Sequence, residues 1–301
     1  MIKTAIYVDA ENIKMSGGFG MRYDVLLEYA GSGDATVLRA NCYLAEDHDR
    51  VKTDPEYRQK TYGYHNILRQ CGFRVIKKFV RRFRDEEGNV STKANSDMDL
   101  AIDALLQSRS TDRVILLTGD SDFTRLVQAL QNQGCRVEVI GFNNVSRDLR
   151  EAADAYISGF LIPGLLPIAG GGGEEWLRGS VANYNAERGF GFFRYYRRDA
   201  DGLHPESVFF HNSQATMSTY HFQDANRVFE FYIGENSVGG DDRSEAKSIR
   251  LCSGDDRWDA RETRPRDNGT AEGAEEVVAE SAGSDAEPGG TSAEEPEGAT
   301  P

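Results

Sequence analysis

The stretch VILLTGDSDFTRLV, residues 114–127, decides the fold class. Its apolar run ends at Thr118 and Gly119, two carboxylates follow at Asp120 and Asp122, and helical apolar spacing begins at once. A short apolar run bounded by a turn reads as a buried strand, and the pattern after it as an amphipathic helix. The alternation continues in both directions. Downstream, CRVEVIGF (135–142) is a strand; upstream, SDMDLAIDALLQ (96–107) is a helix with apolar positions at 98, 102, 105 and 106. Further back come strand FRVIKKFV (73–80), helix DPEYRQKTYGYHNILRQCG (54–72), strand ATVLRANCYLA (35–45), helix YDVLLEYAG (23–31) and strand TAIYVD (4–9). Repeated β-α units predict a mostly parallel sheet covered by helices on both faces, a three-layer α/β/α domain over 1–163. In such sheets the working site lies beyond the carboxyl ends of the strands.

Acidic residues gather at those ends. Asp9 closes the first strand, Asp120 and Asp122 follow the 113–119 strand, and Asp97 and Asp99 open the helix between them. Ser96 with Asp99 has capping-box spacing, and Asp103 lies one turn beyond Asp99 on the same face. Neighbouring strands would bring three to five carboxylates to one spot. Clustered carboxylates repel and take up protons unless a cation neutralises them. Oxygen ligands without His or Cys select Mg²⁺ or Mn²⁺, which can activate water for phosphodiester hydrolysis. The competing reading of each Asp alone is a helix cap or turn residue. The coincidence of three separated clusters favours the metal site.

Charge supports a polyanionic partner once its distribution is considered. The net charge is −14, but from Asp267 onward the chain carries ten carboxylates and no Lys or Arg, leaving −4 on the rest. Residues 254–301, rich in Glu, Ala, Gly, Ser and Pro, are expected to be a disordered acidic tail. The segment KKFVRRFRDEEGNVSTK (77–93) places Lys77, Lys78, Arg81, Arg82 and Arg84 around a strand end or hairpin. These can neutralise phosphates; the competing reading is an edge strand protected by charge.

Other classes are disfavoured. Four cysteines (Cys42, Cys71, Cys135, Cys252) are scattered without C-x-x-C pairs or nearby His. This argues against a zinc site or disulfide scaffold and fits a cytoplasmic protein. No segment has the apolar length of a membrane span, and the apolar start meets Asp9 too soon for a signal peptide. There is no G-x-x-x-x-G-K-S/T loop and no Ser/His/Asp or Cys/His set. The first strand ends in Asp-Ala-Glu, where a phosphatase with an Asp nucleophile would carry D-x-D.

Past a Gly-rich linker at 164–175, which contains PIAGGGGEE, short strands suggest a small antiparallel barrel over 176–253. Alternation places Phe190 and Phe192 on one face and Phe193 on the other. Phe209 and His211 likewise share a face, opposite Val208 and Phe210. Glycines beside Phe190 are read as leaving the outer side open for bases to lie on the rings. The competing reading makes these aromatics barrel core.

These residues carry two resemblances. YVDAENI (7–13), SDMDLAID (96–103) and LTGDSDF (117–123), in this order, resemble the NYN domain family of PIN-like nucleases over about the first 160 residues. The resemblance implies metal-dependent RNA cleavage, with Asp9, Asp97, Asp120 and Asp122 as metal-binding acids. It implies Asn12 as their polar partner in catalysis and Lys93 as a contact to the scissile phosphate. RGFGFF (188–193) and VFFHN (208–212) resemble the two nucleic-acid-binding motifs of cold-shock domains, small OB-type barrels. That resemblance implies single-stranded RNA bound by Tyr184, Phe190, Phe192, Phe209 and His211. Asn183 stands where that family carries Trp, and YYRRDADGLHPE (195–206) lengthens a loop whose Arg197 and Arg198 are expected at phosphates. The expected whole is a two-domain ribonuclease. A non-catalytic RNA-binding adaptor is the main alternative, and a metal-dependent nucleotide phosphatase a third.

Overall fold

The computed structural model describes residues 1–84, 90–93, 96–168, 174–235 and 244–252, with side chains described except in 81–84 and 90–93. In chain order the first domain holds β1 (Ile2–Asp9), α1 (Ala10–Ile13), α2 (Tyr23–Ala30), β2 (Ala35–Glu46), α3 (His48–Thr53), α4 (Pro55–Gln70) and β3 (Arg74–Phe79). There follow β4 (Arg81–Arg84), β5 (Val90–Lys93), α5 (Asp97–Gln107), β6 (Arg113–Leu117), α6 (Thr124–Asn132), β7 (Arg136–Gly141), α7 (Arg147–Ala152) and β8 (Ala155–Ser158). The main sheet runs β3-β2-β1-β6-β7-β8, every pair parallel.

Alternate residues of β1 and β6 serve two cores. Ile6, Val8, Ile115 and Leu117 pack with Leu26, Phe142 and Phe160 on one face. Ala5, Tyr7, Val114 and Leu116 pack with Leu100, Leu126 and Leu130 on the other. Both faces are dry, so these strands read as unbroken apolar runs. The order β1-β6 at the sheet centre brings the carboxyl ends of the two acid-bearing strands side by side, Val8 opposite Leu117.

Several local features differ from the sequence expectation. The helix expected from residue 122 begins as a 3₁₀ turn at Ser121–Phe123, because the Asp120 carboxylate accepts from the Asp122 N–H. Ser96 makes no capping hydrogen bond and lies in the helical region of backbone space, so the expected capping box does not form. Helices α1, α3 and α7 and strand β8 are short elements that periodicity did not announce. Among the described residues no helix is long and apolar enough to cross a membrane, and the four cysteines are free thiols.

The second half is a closed five-stranded barrel: β9 (Trp176–Asn185), β10 (Phe190–Asp199), β11 (Gly202–His211), β12 (Val228–Glu235) and β13 (Ser244–Leu251). The ring order β10-β11-β13-β12-β9, with β11 and β13 parallel, is that of an OB-type barrel. Phe193, Phe210, Phe229 and Phe231 fill it. Gly191 faces this interior: a Cβ there would stand 2.3 Å from the Asn183 carbonyl and 2.8 Å from the Phe210 ring. The glycine therefore serves close inner packing and does not clear the outer face.

The barrel is seated on the α2 side of the first domain. Val228 and Cys252 join the buried cluster of Leu26 and Leu165, and Leu203 packs against it. Buried Arg178 donates to the Leu166 and Pro167 carbonyls at 3.1 and 2.9 Å and to Glu230 at 2.8 Å. The β10–β11 hairpin reaches back as well. Gly33 N–H donates to the Ala200 carbonyl at 2.9 Å, and Arg198 pairs with Glu28 at 2.6 Å. The disorder expected for 254–301 concerns residues outside the described set.

Candidate functional site

The acids are assembled by backbone geometry at two adjacent strand ends. Asp9 leaves β1 in an extended conformation and caps α1, its Oδ1 accepting from the Asn12 N–H at 3.2 Å. Asn12 then bridges to the next strand, its Oδ1 accepting from the Gly119 N–H at 2.8 Å. Gly119 suits that approach: a Cβ would lie 3.3 Å from Val145 Cα and 3.4 Å from Asn12 Oδ1. Thr118, fully buried, donates from its hydroxyl to Asp9 Oδ2 at 3.3 Å and accepts from the Asp120 N–H at 3.2 Å. The chain Asp9–Thr118–Asp120–Asp122 is thus joined by consecutive hydrogen bonds. Thr118 carried no role in the sequence reading; its place inside LTGDSDF, directly before the acids, was the available signal.

Electrostatics draw Asp97 into the same group. Asp9 is 5% exposed, and burial pushes its carboxyl up to about 6. The Asn12 N–H opposes that rise, while the charges of Asp97 and Asp120 add to it. Burial also raises Asp97, with the charges of Asp120 and Asp122 contributing. The four acids therefore share one field. Among the described residues, however, no group of three or more His, Cys, Asp or Glu side chains is close enough to hold a metal ion as a ready-made cage.

The other charged residues that the sequence proposed near the site divide into paired and undescribed ones. Asp99 pairs with Lys78 at 2.8 Å, and Asp103 accepts from the Tyr43 hydroxyl at 2.9 Å. Both are tied to neighbouring strands and stand apart from the hydrogen-bonded chain of acids. Lys77 pairs with buried Glu46 at 2.8 Å and lies over the Tyr62 ring. The β4–β5 hairpin sets the backbone of Arg81 opposite Lys93 and of Arg82 opposite Thr92. The side chains of Arg81, Arg82 and Lys93 fall outside the described set.

On the barrel, Phe190, Phe192, Phe209 and His211 form one outward patch. Phe192 pairs with Phe209 across the strands, and Phe190 with His211. The Phe209 ring centroid lies 5.9 Å from that of Phe190 and 5.8 Å from that of Phe192. Phe192 is 38% exposed, while Phe193 and Phe210 are buried. His211 Nδ1 lies 2.8 Å from Ser213 Oγ, which fixes the ring at the patch edge.

Tyr184 stands apart from this patch. Its ring stacks on Phe210 at 5.8 Å and meets Phe222. The cause is a bulge in β9: Val181 pairs with Phe193 but Asn183 with Phe192, so Ala182 is an extra residue. One extra residue turns every later side chain to the opposite face. Arg197 and Arg198, expected at phosphates, are paired with Glu206 and Glu28. The lengthened hairpin joins the two domains.

Comparison with known proteins finds relatives of the first domain. The NYN domain family matches residues 3–165. The chain is 28% identical over 162 residues to the low amplitude and bright protein LabA of Synechococcus elongatus, covering 52% of this chain and 82% of that one. A solved structure of a Vibrio parahaemolyticus protein of unknown function is 30% identical, with a TM-score of 0.43, covering 52% of this chain and 92% of that one.

Proposed function

The chain belongs to the NYN domain family, and on that premise we propose that it is a Mg²⁺- or Mn²⁺-dependent ribonuclease whose barrel holds single-stranded RNA. The observation that carries this reading is the convergence of Asp9, Asp97, Asp120 and Asp122: burial, with the charges of Asp97 and Asp120 adding to it, lifts Asp9 to about 6, and burial with the charges of Asp120 and Asp122 raises Asp97. A donor set of carboxylate oxygens without His or Cys suits a hard divalent cation, and such a cation would offset the excess negative charge. Asp9, Asp97, Asp120 and Asp122 would hold it. Bound there, it supplies an activated water and charge for the leaving oxygen. In the hydrolysis one P–O bond forms to the water oxygen and the P–O bond to the departing sugar oxygen breaks. Asn12 and Thr118 are positioning residues, joining the β1 end to the loop after β6 so that Asp9 and Asp120 keep their spacing.

The outward patch of Phe190, Phe192, Phe209 and His211 supports the barrel's part, because unstacked bases lie on exposed rings whatever their sequence. We assign it a cold-shock-like role. Seating the barrel on the first domain holds bound RNA at a fixed position relative to the acids and raises its effective concentration there.

The test is cleavage of a labelled unstructured RNA in Mn²⁺, in Mg²⁺ and in EDTA, beside the Asp120→Asn chain. Loss of cutting in EDTA and in the variant is the expected result. Retained binding without cutting in either metal overturns the enzyme reading. That outcome would favour an RNA-binding adaptor.

A further inference from the structure

Helix α5 has two different sides past its first residue, Asp97. Asp99 and Asp103 turn toward Lys78 and Tyr43. Its other side presents Met98, Ala101, Ile102 and Leu105 at helical spacing, and Met98 is 65% exposed. Between this side and α6 runs a groove of about 360 Å³. Met98, Ala101 and Leu105 form one wall, and Phe123 and Leu126 lie on the other side. Two of its lining residues, Asp97 and Asp122, belong to the acid group itself. The cation of the lining is Arg125, exposed and held toward Gln128 at 2.9 Å.

We propose that this groove is a nucleobase subsite, taking the base beside the scissile phosphate, with Arg125 donating to that base's carbonyl or ring-nitrogen acceptors. The inference rests on the ribonuclease reading of the adjoining acids. Contiguity argues for a base: a phosphodiester lying at Asp97 and Asp122 has its flanking nucleoside at the groove mouth. Chemistry agrees, since a flat aromatic heterocycle is satisfied by apolar walls and one planar donor fork. The carboxylates at the mouth disfavour a second phosphate inside. The groove thereby gives the nuclease domain a base contact of its own, separate from the barrel's rings.

The test is photo-cross-linking of a short 4-thiouridine-containing single-stranded RNA to the full chain in Ca²⁺, with adducts mapped by mass spectrometry. Adducts are expected within 98–105 or 123–129 in addition to those on Phe190–His211. Ala101→Trp fills the groove and should lower the first set at least about ten-fold while leaving the barrel adducts, in keeping with the worth of one stacked base. Arg125→Ala, an exposed change that preserves folding, should lower the same set severalfold. Absence of adducts in both groove segments overturns the subsite, whether or not the chain cuts RNA. Groove adducts without cutting in Mn²⁺ or Mg²⁺ keep the subsite and overturn the nuclease reading instead. A dimer dissociated by Ala101→Trp, with RNA adducts confined to the barrel, assigns the groove to a second copy and also overturns the inference.

Discussion

Asn12 Oδ1 accepts the Gly119 N–H at 2.8 Å, joining the first turn after β1 to the loop after β6 across 107 residues of sequence. Asp9 and Asp120 lie on the two sides of this link. Asn12→Ala removes the acceptor and leaves a part-buried N–H unmade, which costs about 1 kcal/mol of stability. Cleavage should fall much further than stability, because the spacing of the acids is no longer held. Thermal unfolding and single-turnover cleavage, measured on one preparation, separate the two effects. Equal loss in both would reduce Asn12 to a purely structural residue.

Neighbouring phenylalanines should behave oppositely. Phe192→Ala removes an exposed ring and is expected to weaken single-stranded RNA binding by about 1–3 kcal/mol with little change in melting temperature. Phe193→Ala empties a site stacked on Phe210 at 4.2 Å and Phe231 at 4.8 Å. It should cost about 3–5 kcal/mol of stability. Filter binding and thermal denaturation of both variants check the pair, and a large melting shift from Phe192→Ala would place that ring in the core.

Lys77 is expected to act on stability more than on RNA. Its ammonium neutralises Glu46, whose side chain is 5% exposed, with His65 3.8 Å from the same carboxylate. Burial and the Lys77 charge hold His65 below its usual range, so near neutral pH the lysine is the cation that balances Glu46. Lys77→Ala should therefore cost about 3 kcal/mol through an uncompensated buried charge. Urea unfolding measures this, and a variant of wild-type stability with weakened RNA binding would return Lys77 to the phosphate-contact set.

The Glu138 carboxylate sets a pH dependence. Burial alone would raise it, but Arg113 at 2.6 Å and Arg136 at 2.9 Å hold it below the usual carboxylate range. A group lowered in the fold contributes stability above its unfolded value near 4.5, and that contribution is lost as pH falls through the folded value. Glu138→Gln should thus cost about 3 kcal/mol at neutral pH and progressively less below about pH 4.5. Chemical denaturation across pH tests it; a penalty independent of pH would mean that packing, not charge, is what Glu138 supplies.

The candidate site was legible where local chemistry decided it. Asp9, Asp120 and Asp122 lie beside strand ends that apolar runs made visible, and a parallel sheet puts such ends on one edge; Asn12 was singled out only by the family resemblance of YVDAENI. Lys77, Lys78, Asp99 and Asp103 were not legible in this way. Their partners Glu46, Asp99, Lys78 and Tyr43 come from elements far away in sequence, and a charge run looks the same whether it faces phosphate or a buried carboxylate.

The sequence by itself determined the order of the longer strands and helices, the parallel sheet and the aromatic alternation of β10 and β11, because periodicity and β-α repetition along the chain specify each of them. Only the tertiary structure decided the face of Tyr184, the role of the 195–206 hairpin and the seating of the barrel. A single extra residue, Ala182, reverses the pleat of β9 without altering its composition. Likewise Arg198 and Ala200 acquire their roles from Glu28 and Gly33, which only folding brings near. Such outcomes depend on which distant surfaces bury each other, and periodicity along one chain segment carries no record of that choice.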